Sequence, residues 1–273
     1  NATGRISHAM DSLRLICTKD QHRARKLASH LSETNRNRQL LTEESTLYAD
    51  SVTEVSEKII FAHDAKYNQG IIGLVASRLV EKHYKPSIVV AVGEKISKGS
   101  ARSIQGFNII EFLRTFSSHL IDAGGHPMAA GFTIESSRIE EFKTALIAGS
   151  AKLISDELLK RILKIDCELR FEQINLALLD SMQTLAPFGM ANPEPLFASK
   201  KVIVESARLV GRENKHLKLT LSQNGKMFDG IFFGGSEAGL KVGDSVDIAY
   251  TIEQDTWNGR ERIQLKIRDL TKN

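Results

Sequence analysis

Two Asn-Gly pairs constrain this chain more than any other feature. Asn224-Gly225 divides "RLVGRENKHLKLTLSQNGKMFDGIFF" into two β-patterned runs, and Asn258-Gly259 does the same for "DSVDIAYTIEQDTWNGRERIQLKIRDL". Asn-Gly supplies the positive backbone angles of a type I′ turn, the tightest link between antiparallel strands. With one more β run from "LFASKKVIVESARLV", five strands in succession predict a small closed barrel, because closure leaves no sheet edge exposed.

The last of these strands carries a pattern of its own. Ile263, Leu265 and Ile267 alternate with Arg262, Gln264, Lys266 and Arg268, so one face is apolar and the other is a basic stripe. Lys215, Lys218 and Trp257 lie in the same region. Cations with an aromatic ring suit a single-stranded nucleic acid, whose phosphates want charge and whose bases want a flat surface. A barrel of the oligonucleotide-binding type fits both patterns. A solvated outer face carries similar residues, and that reading stays open.

Upstream, strand and helix signals alternate. "KIIFAHD" reads as a strand, "IIGLVASRLVEKHY" as a helix with Ile71, Ile72, Val75 and Leu79 on one side, and "PSIVVAVG" as a buried strand. A short polar strand, the helix "NIIEFLRTFSSHL", the strand "GFTIE" and the helix "SRIEEFKTALIAGSAKL" follow. This order predicts a compact α/β domain. Before it, residues 20–58 contain neither Gly nor Pro and place Leu27, Leu31, Leu40, Leu47, Val52 and Val55 at near-helical spacing. One long helix is expected, broken at most once. Its charge is uneven: residues 1–40 hold eight Arg or Lys against three Asp or Glu, or +5, and residues 41–60 hold one against five, or −4. The expected organisation is therefore a helical segment over 1–58, an α/β domain over 59–155, and a connecting segment with the barrel over 156–273.

Composition narrows the class. The formal net charge is +4 with 26% charged residues, which suits a polyanionic partner without requiring one. Two cysteines, Cys17 and Cys167, are too few and too far apart for a disulfide framework or a zinc knuckle. No apolar run reaches the roughly 18 residues a membrane span needs, so a cytoplasmic location is expected. The chain opens on Asn1 inside a structured-looking stretch, so its natural start is expected upstream.

Two stretches look built for an anion. In "DAGGHPMAAGF", Gly124 and Gly125 let main-chain N–H groups approach a ligand. Pro127 suits the first position of a helix, which predicts His126 at the positive end of a short helix, where phosphate binds well. A plain turn explains the same residues. In "SKGSARSIQGFNI", Ser100 and Arg102 share a strand face, and the planar guanidinium matches phosphate with two parallel bonds. The doublet His63-Asp64 has no neighbouring ligand set and reads as structural.

"NATGR", "NQGIIGLVASRL", "KGSARS", "AGGHPMAAG", "LAPFGMANPEPLF" and "GRENKHLKL" occur in the order found in RecJ-type single-strand-specific exonucleases. The chain resembles the C-terminal half of that family: the tail of the catalytic core, a linking helix, the DHH-associated domain and the barrel. The resemblance implies metal-dependent 5′ to 3′ hydrolysis of single-stranded DNA in recombination and repair. It also implies two Mn²⁺ or Mg²⁺ ions held by an N-terminal DHH domain not seen in this sequence, so the chain alone is expected to be inactive. Ser100 and Arg102 would bind phosphate near the 5′ end, and Arg5 would sit close to the cleft. Gly124, Gly125 and the catalytic His126 would hold the phosphate beside the metals. A single-strand-binding protein and a helicase are implied partners. Thr3 and Tyr67-Asn68 depart from the family's usual residues. Two other readings remain: a DHH-type phosphoesterase acting on short oligonucleotides or cyclic dinucleotides, and a non-catalytic single-strand-binding scaffold.

Overall fold

The computed structural model describes every residue except 1, 7, 56 and 256–261, with the backbone alone at Arg212 and Asp255. The chain divides into two units, Asn1–Arg161 and Ile162–Asn273.

The first unit opens with helices α1 (Ala2–Ile6), α2 (Met10–Cys17) and α3 (Gln21–Val52). Asp20 caps α3 by accepting from the amides of His22 and Arg23 at 2.8 and 3.2 Å, which satisfies two of the donors a helix start leaves unpaired. The expected stripe of large apolar residues is not what α3 buries. Leu40, Leu47 and Val52 are exposed, Val55 lies past the helix, and the buried positions are Thr42, Ser45 and Ala49. Small residues let the helix backbone approach its neighbours, while Leu41 and Tyr48 pack at the margin of that contact.

A five-stranded sheet follows, in the order β1 (Ile60–Asp64), β2 (Ser87–Ala91), β3 (Ile96–Arg102), β5 (Ala129–Glu135), β4 (Leu120–His126). β1 and β2 are parallel, joined by α4 (Ile72–His83); the other pairings are antiparallel. One face packs on α5 (Ile109–Arg114) and α6 (Ile139–Leu153) through Phe61, Phe112, Phe132 and Phe142. Phe132 and Phe142 meet edge to face with centroids 5.3 Å apart, the geometry aromatic quadrupoles favour. Burying a side chain such as Phe142 contributes about 1.5 to 3 kcal/mol. On the other face, Val75, Ala76 and Leu79 of α4 cover β1 and β2 with Val89 and Ala91. The helix reaches as far as β3, where its start lies against Ser100 and Arg102, while Gly131, Gly124 and His126 on β5 and β4 are exposed.

The second unit contains β6 (Cys167–Glu168), α7 (Leu176–Gln183), β7 (Phe197–Val210), β8 (His216–Gln223), β9 (Lys226–Phe232), β10 (Ser245–Asp255) and β11 (Arg262–Lys272). The strands run β10-β11-β9-β8-β7, and β10 also pairs with β7, closing a five-stranded barrel. Asn224 and Gly225 make the β8–β9 turn with φ of 51° and 79°, as the sequence requires. Asn258-Gly259 lies outside the described residues. Val204, Leu219, Leu221, Ile248 and Leu265 fill the barrel. Its buried Tyr250 hydroxyl is satisfied by Ser199 at 2.8 Å, and burial raises that hydroxyl to about 12.

Candidate functional site

In the first unit, two of the candidate residues, Ser100 and Arg102, lie on β3. Burial alternates along this strand, with Ser97, Gly99 and Ala101 inside, and Lys98, Ser100 and Arg102 on the α4 face. Ser100 opposes Gly131 of β5, which opposes Gly124 of β4; Arg102 opposes Ala129, which opposes His126. Cross-strand partners project from the same face. Ser100, Arg102, Gly124 and His126 thus share one face, with Arg102 and His126 two strand spacings, roughly 10 Å, apart. The floor between them carries no side chain larger than a methyl.

The two glycines differ. Gly125 points to the opposite face, at φ +151°, and a Cβ there would lie 2.4 Å from the Ala129 carbonyl, so the backbone demands glycine. A Cβ at Gly124 would meet nothing within 4 Å, so packing does not explain why this position is bare. The expected helix start at His126 is not formed. Residues 127 and 128 are instead a hairpin turn between β4 and β5, tied down by bonds from Ile109 N to Pro127 O and from Ser103 N to Met128 O, each 3.0 Å. Proline suits a turn as well as a helix start, and the returning small residues pair with Ala123 to His126 as a strand. His126 ends a strand at the sheet edge, whose outward amides have no ladder partner among the described residues.

A different helix end adjoins the site. A Cβ on Gly73, in the first turn of α4, would lie 2.8 Å from Arg102 Nη2 and 3.0 Å from Ser100 Oγ. Glycine therefore lets the guanidinium and hydroxyl pack directly against the helix start. Ile71 provides no side-chain cap there, and the positive end of the helix favours an anion. Arg102 Nη1 donates to Ser100 Oγ at 3.2 Å and to Ala101 O at 2.8 Å. Burial first, then the charge of Arg5, holds the Arg102 guanidinium below its ordinary value. Arg5 comes near because its carbonyl lies against Gly70, where a Cβ would approach within 1.8 Å. Asn68 prepares that contact, its Oδ1 accepting from Gly70 N at 2.8 Å. Lys98 extends the row of cations, donating to Thr133 Oγ1 at 2.7 Å.

Neither Gly73 nor Lys98 was evident as a site residue in the sequence. The alternation Lys98, Ser100, Arg102 was the available signal for the second; the first needs the tertiary contact. His63 pairs with Glu140 at 3.1 Å, and Asp64 accepts from the Tyr48 hydroxyl at 2.6 Å, so that doublet has structural partners. Beside it the Tyr67 hydroxyl is buried without a partner among the described residues, and burial raises it. Among the described residues no group of three or more His, Cys, Asp or Glu is placed to hold a metal ion.

In the barrel unit, Arg262 is exposed, and Lys266 lies on the outer face with it. The strand carries fewer free charges than its sequence suggests. Lys266 pairs with Glu253 at 2.6 Å, Arg268 with Glu194 at 3.6 Å, and Lys215 with Glu213 at 2.6 Å. Lys218 on β8 opposes Ile231 of β9, which stands beside Lys266. Trp257 lies outside the described residues. Phe233 is a further aromatic residue at this surface, 55% exposed, that sequence reasoning missed because it lies just past the strand.

Known proteins share both units. Residues 56–149 match the DHHA1 domain and residues 165–269 the RecJ OB domain. The single-stranded-DNA-specific exonuclease RecJ of Bacillus subtilis is 32% identical over 276 residues, covering 98% of this chain and 35% of that protein. Its counterpart in Thermus thermophilus is 29% identical over 100% of this chain and 39% of the relative. The crystal structure of RecJ in complex with Mn²⁺ from Thermus thermophilus aligns with TM-score 0.83 at 28% identity, over 100% of this chain and 40% of that one. A crystal structure of exonuclease RecJ bound to manganese aligns over 56% of this chain and 39% of that chain, with TM-score 0.52 and 31% identity. The chain thus spans well under two thirds of the relatives it matches.

Proposed function

Because the chain joins a DHHA1 domain to a RecJ OB domain, we propose that it is the substrate-gripping part of a 5′ to 3′ single-stranded-DNA exonuclease of recombination and repair. The observation that carries this reading is the half-buried Arg102, whose charge is raised in cost by burial and by a second cation, Arg5. A cation kept in such a place gains most from an arriving anion. The bare floor toward His126 leaves room for the chain of a nucleic acid.

In this reading Arg102 and Ser100 hold a phosphate near the 5′ end, with the α4 start and Arg5 adding positive potential. His126 touches the reacting phosphate, and Gly124 allows the backbone to lie close to it. RecJ of Thermus thermophilus crystallises with Mg²⁺ or Mn²⁺; in this reading two such ions would be held by a DHH domain acting together with these residues. When bound, such ions activate water and offset the charge that develops on the phosphate. The residues of this chain fix the position of the strand being cut. The barrel guides the strand through Lys215, Lys218, Arg262, Lys266 and Arg268, with Trp257 as a stacking residue. A single-strand-binding protein and a helicase are the proteins such an enzyme would work beside, in the cytoplasm. No helix among the described residues is long and apolar enough to cross a membrane.

The test is a titration of this chain with oligo(dT) bearing either a 5′ phosphate or a 5′ hydroxyl. Tighter binding of the phosphorylated strand, lost in Arg102→Ala, is expected; equal affinity for the two strands contradicts the 5′-phosphate assignment.

A further inference from the structure

Just past the end of β9, beside the start of β8, stands an exposed aromatic ring. Phe233 is 55% exposed, yet its orientation is set. His216 meets it edge to face, with centroids 5.1 Å apart at 73°. The imidazole is itself fixed: Nδ1 accepts from Gly234 N at 3.2 Å, so Nε2 carries the proton in the neutral ring. On its other side, a Cβ at Gly211 would come within 2.6 Å of His216 Cδ2. Lys266 Nζ lies 5.9 Å from the Phe233 centroid.

The surrounding charges are ordered. Arg208 opposes Lys218, Lys218 opposes Ile231, and Ile231 stands beside Lys266. Three cations therefore occupy one row across the outer face, with the apolar Ile231 between the two lysines and the Phe233 ring two residues further along the chain. Adjacent strands are about 4.8 Å apart, which sets Lys218 and Lys266 roughly 10 Å from each other. A fixed, exposed ring flanked by cations matches a strand that alternates bases and phosphates. An exposed Phe on its own would mean little; the wedged histidine and the row of cations are what distinguish this one.

We propose that Phe233 is a base-stacking seat for single-stranded nucleic acid, with Lys218 and Lys266 engaging the phosphates on either side. This rests on the reading of the barrel as a strand-guiding surface. Lys266, paired with Glu253 at 2.6 Å, exchanges that carboxylate for a phosphate when the strand binds.

The experiment measures anisotropy of two labelled strands with the intact chain, Phe233→Ala and Phe233→Trp. One is oligo(dT) of about twelve nucleotides, within the site size of such barrels; the other is an abasic strand of the same length. The intact chain is expected to prefer oligo(dT). Phe233→Ala is expected to weaken oligo(dT) about tenfold, equivalent to about 1.4 kcal/mol, while leaving the abasic strand within about twofold. Phe233→Trp is expected to restore the preference. Equal losses on both strands, no loss on oligo(dT), or no preference in the intact chain overturns the stacking seat. Failure of the intact chain to bind either strand overturns the strand-guiding reading itself.

Discussion

Arg102 and His126 stand in one row of the five-stranded sheet and on one face of it, with only the methyl group of Ala129 between their strands. Residues so placed are able to contact one ligand from opposite sides, and Ser100 and Gly124 form the next row.

In a protein that joins this chain to a DHH domain, as the proposed function requires, Arg102→Ala is expected to cost roughly 1.5 to 3 kcal/mol in substrate or transition-state binding, the range for a hydrogen bond to a charged group. Arg102→Lys keeps the charge and loses the fork, so it recovers only part. Steady-state kinetics separates the roles: losing Arg102 or Ser100 chiefly raises KM, and losing His126 chiefly lowers kcat. A kcat loss confined to Arg102 contradicts these assignments.

Gly73→Ala separates binding from folding. Alanine is the better helix former by up to about 1 kcal/mol, and the atom its Cβ displaces is the mobile end of Arg102, 2.8 Å away. Thermal unfolding is expected to stay level or rise slightly. Affinity for 5′-phosphorylated oligo(dT) is expected to fall on the order of tenfold, about 1.4 kcal/mol. Unchanged affinity by calorimetry would show that Gly73 is bare only for packing.

Much of the fold was legible because its periodicities are local. Val75 and Leu79 declared the buried side of α4, and Asn224-Gly225 declared its hairpin. The site was legible only in part. Ser100 and Arg102 share a face by simple alternation, but Pro127 fits a helix start and a turn alike, and only the pairing of β4 with β5 decides between them. The leucines of α3 misled because close approach of a helix favours small residues such as Ala49. Glu253 and Glu194 reach the basic strand from elsewhere in the barrel unit, so no window around Lys266 or Arg268 contains their partners.

Asp50 ties α3 to α4, contacting Lys82 Nζ at 2.6 Å and His83 Nε2 at 2.5 Å. The bond from Lys82, followed by that from His83, holds the Asp50 carboxyl below the usual carboxylate range. A lowered folded value contributes stability above the unfolded value near 3.9 and loses it as pH falls through the folded one. Asp50→Asn is expected to cost about 1 to 2 kcal/mol at pH 7, with the gap to the intact chain closing in acid. Urea unfolding at neutral and acidic pH checks this; a gap independent of pH contradicts it.

Neutralising Arg262, Lys266 and Arg268 together is expected to weaken single-stranded DNA binding alike across sequences. Each phosphate contact contributes a salt slope of about 0.7 on single strands, so the slope falls by up to about 2. The carboxylates on Lys266 and Arg268 make the smaller end of that range the expectation. An unchanged slope shows a solvated face.

The most direct test of the shared site is a double-mutant cycle between Arg102 and His126, read by calorimetric titration with 5′-phosphorylated oligo(dT). If both residues hold one strand end in a single site, the loss in Arg102→Ala/His126→Ala differs from the sum of the single losses by roughly 0.5 to 3 kcal/mol. Losses that add to within about 0.3 to 0.5 kcal/mol would mean two independent contacts and would contradict the single site.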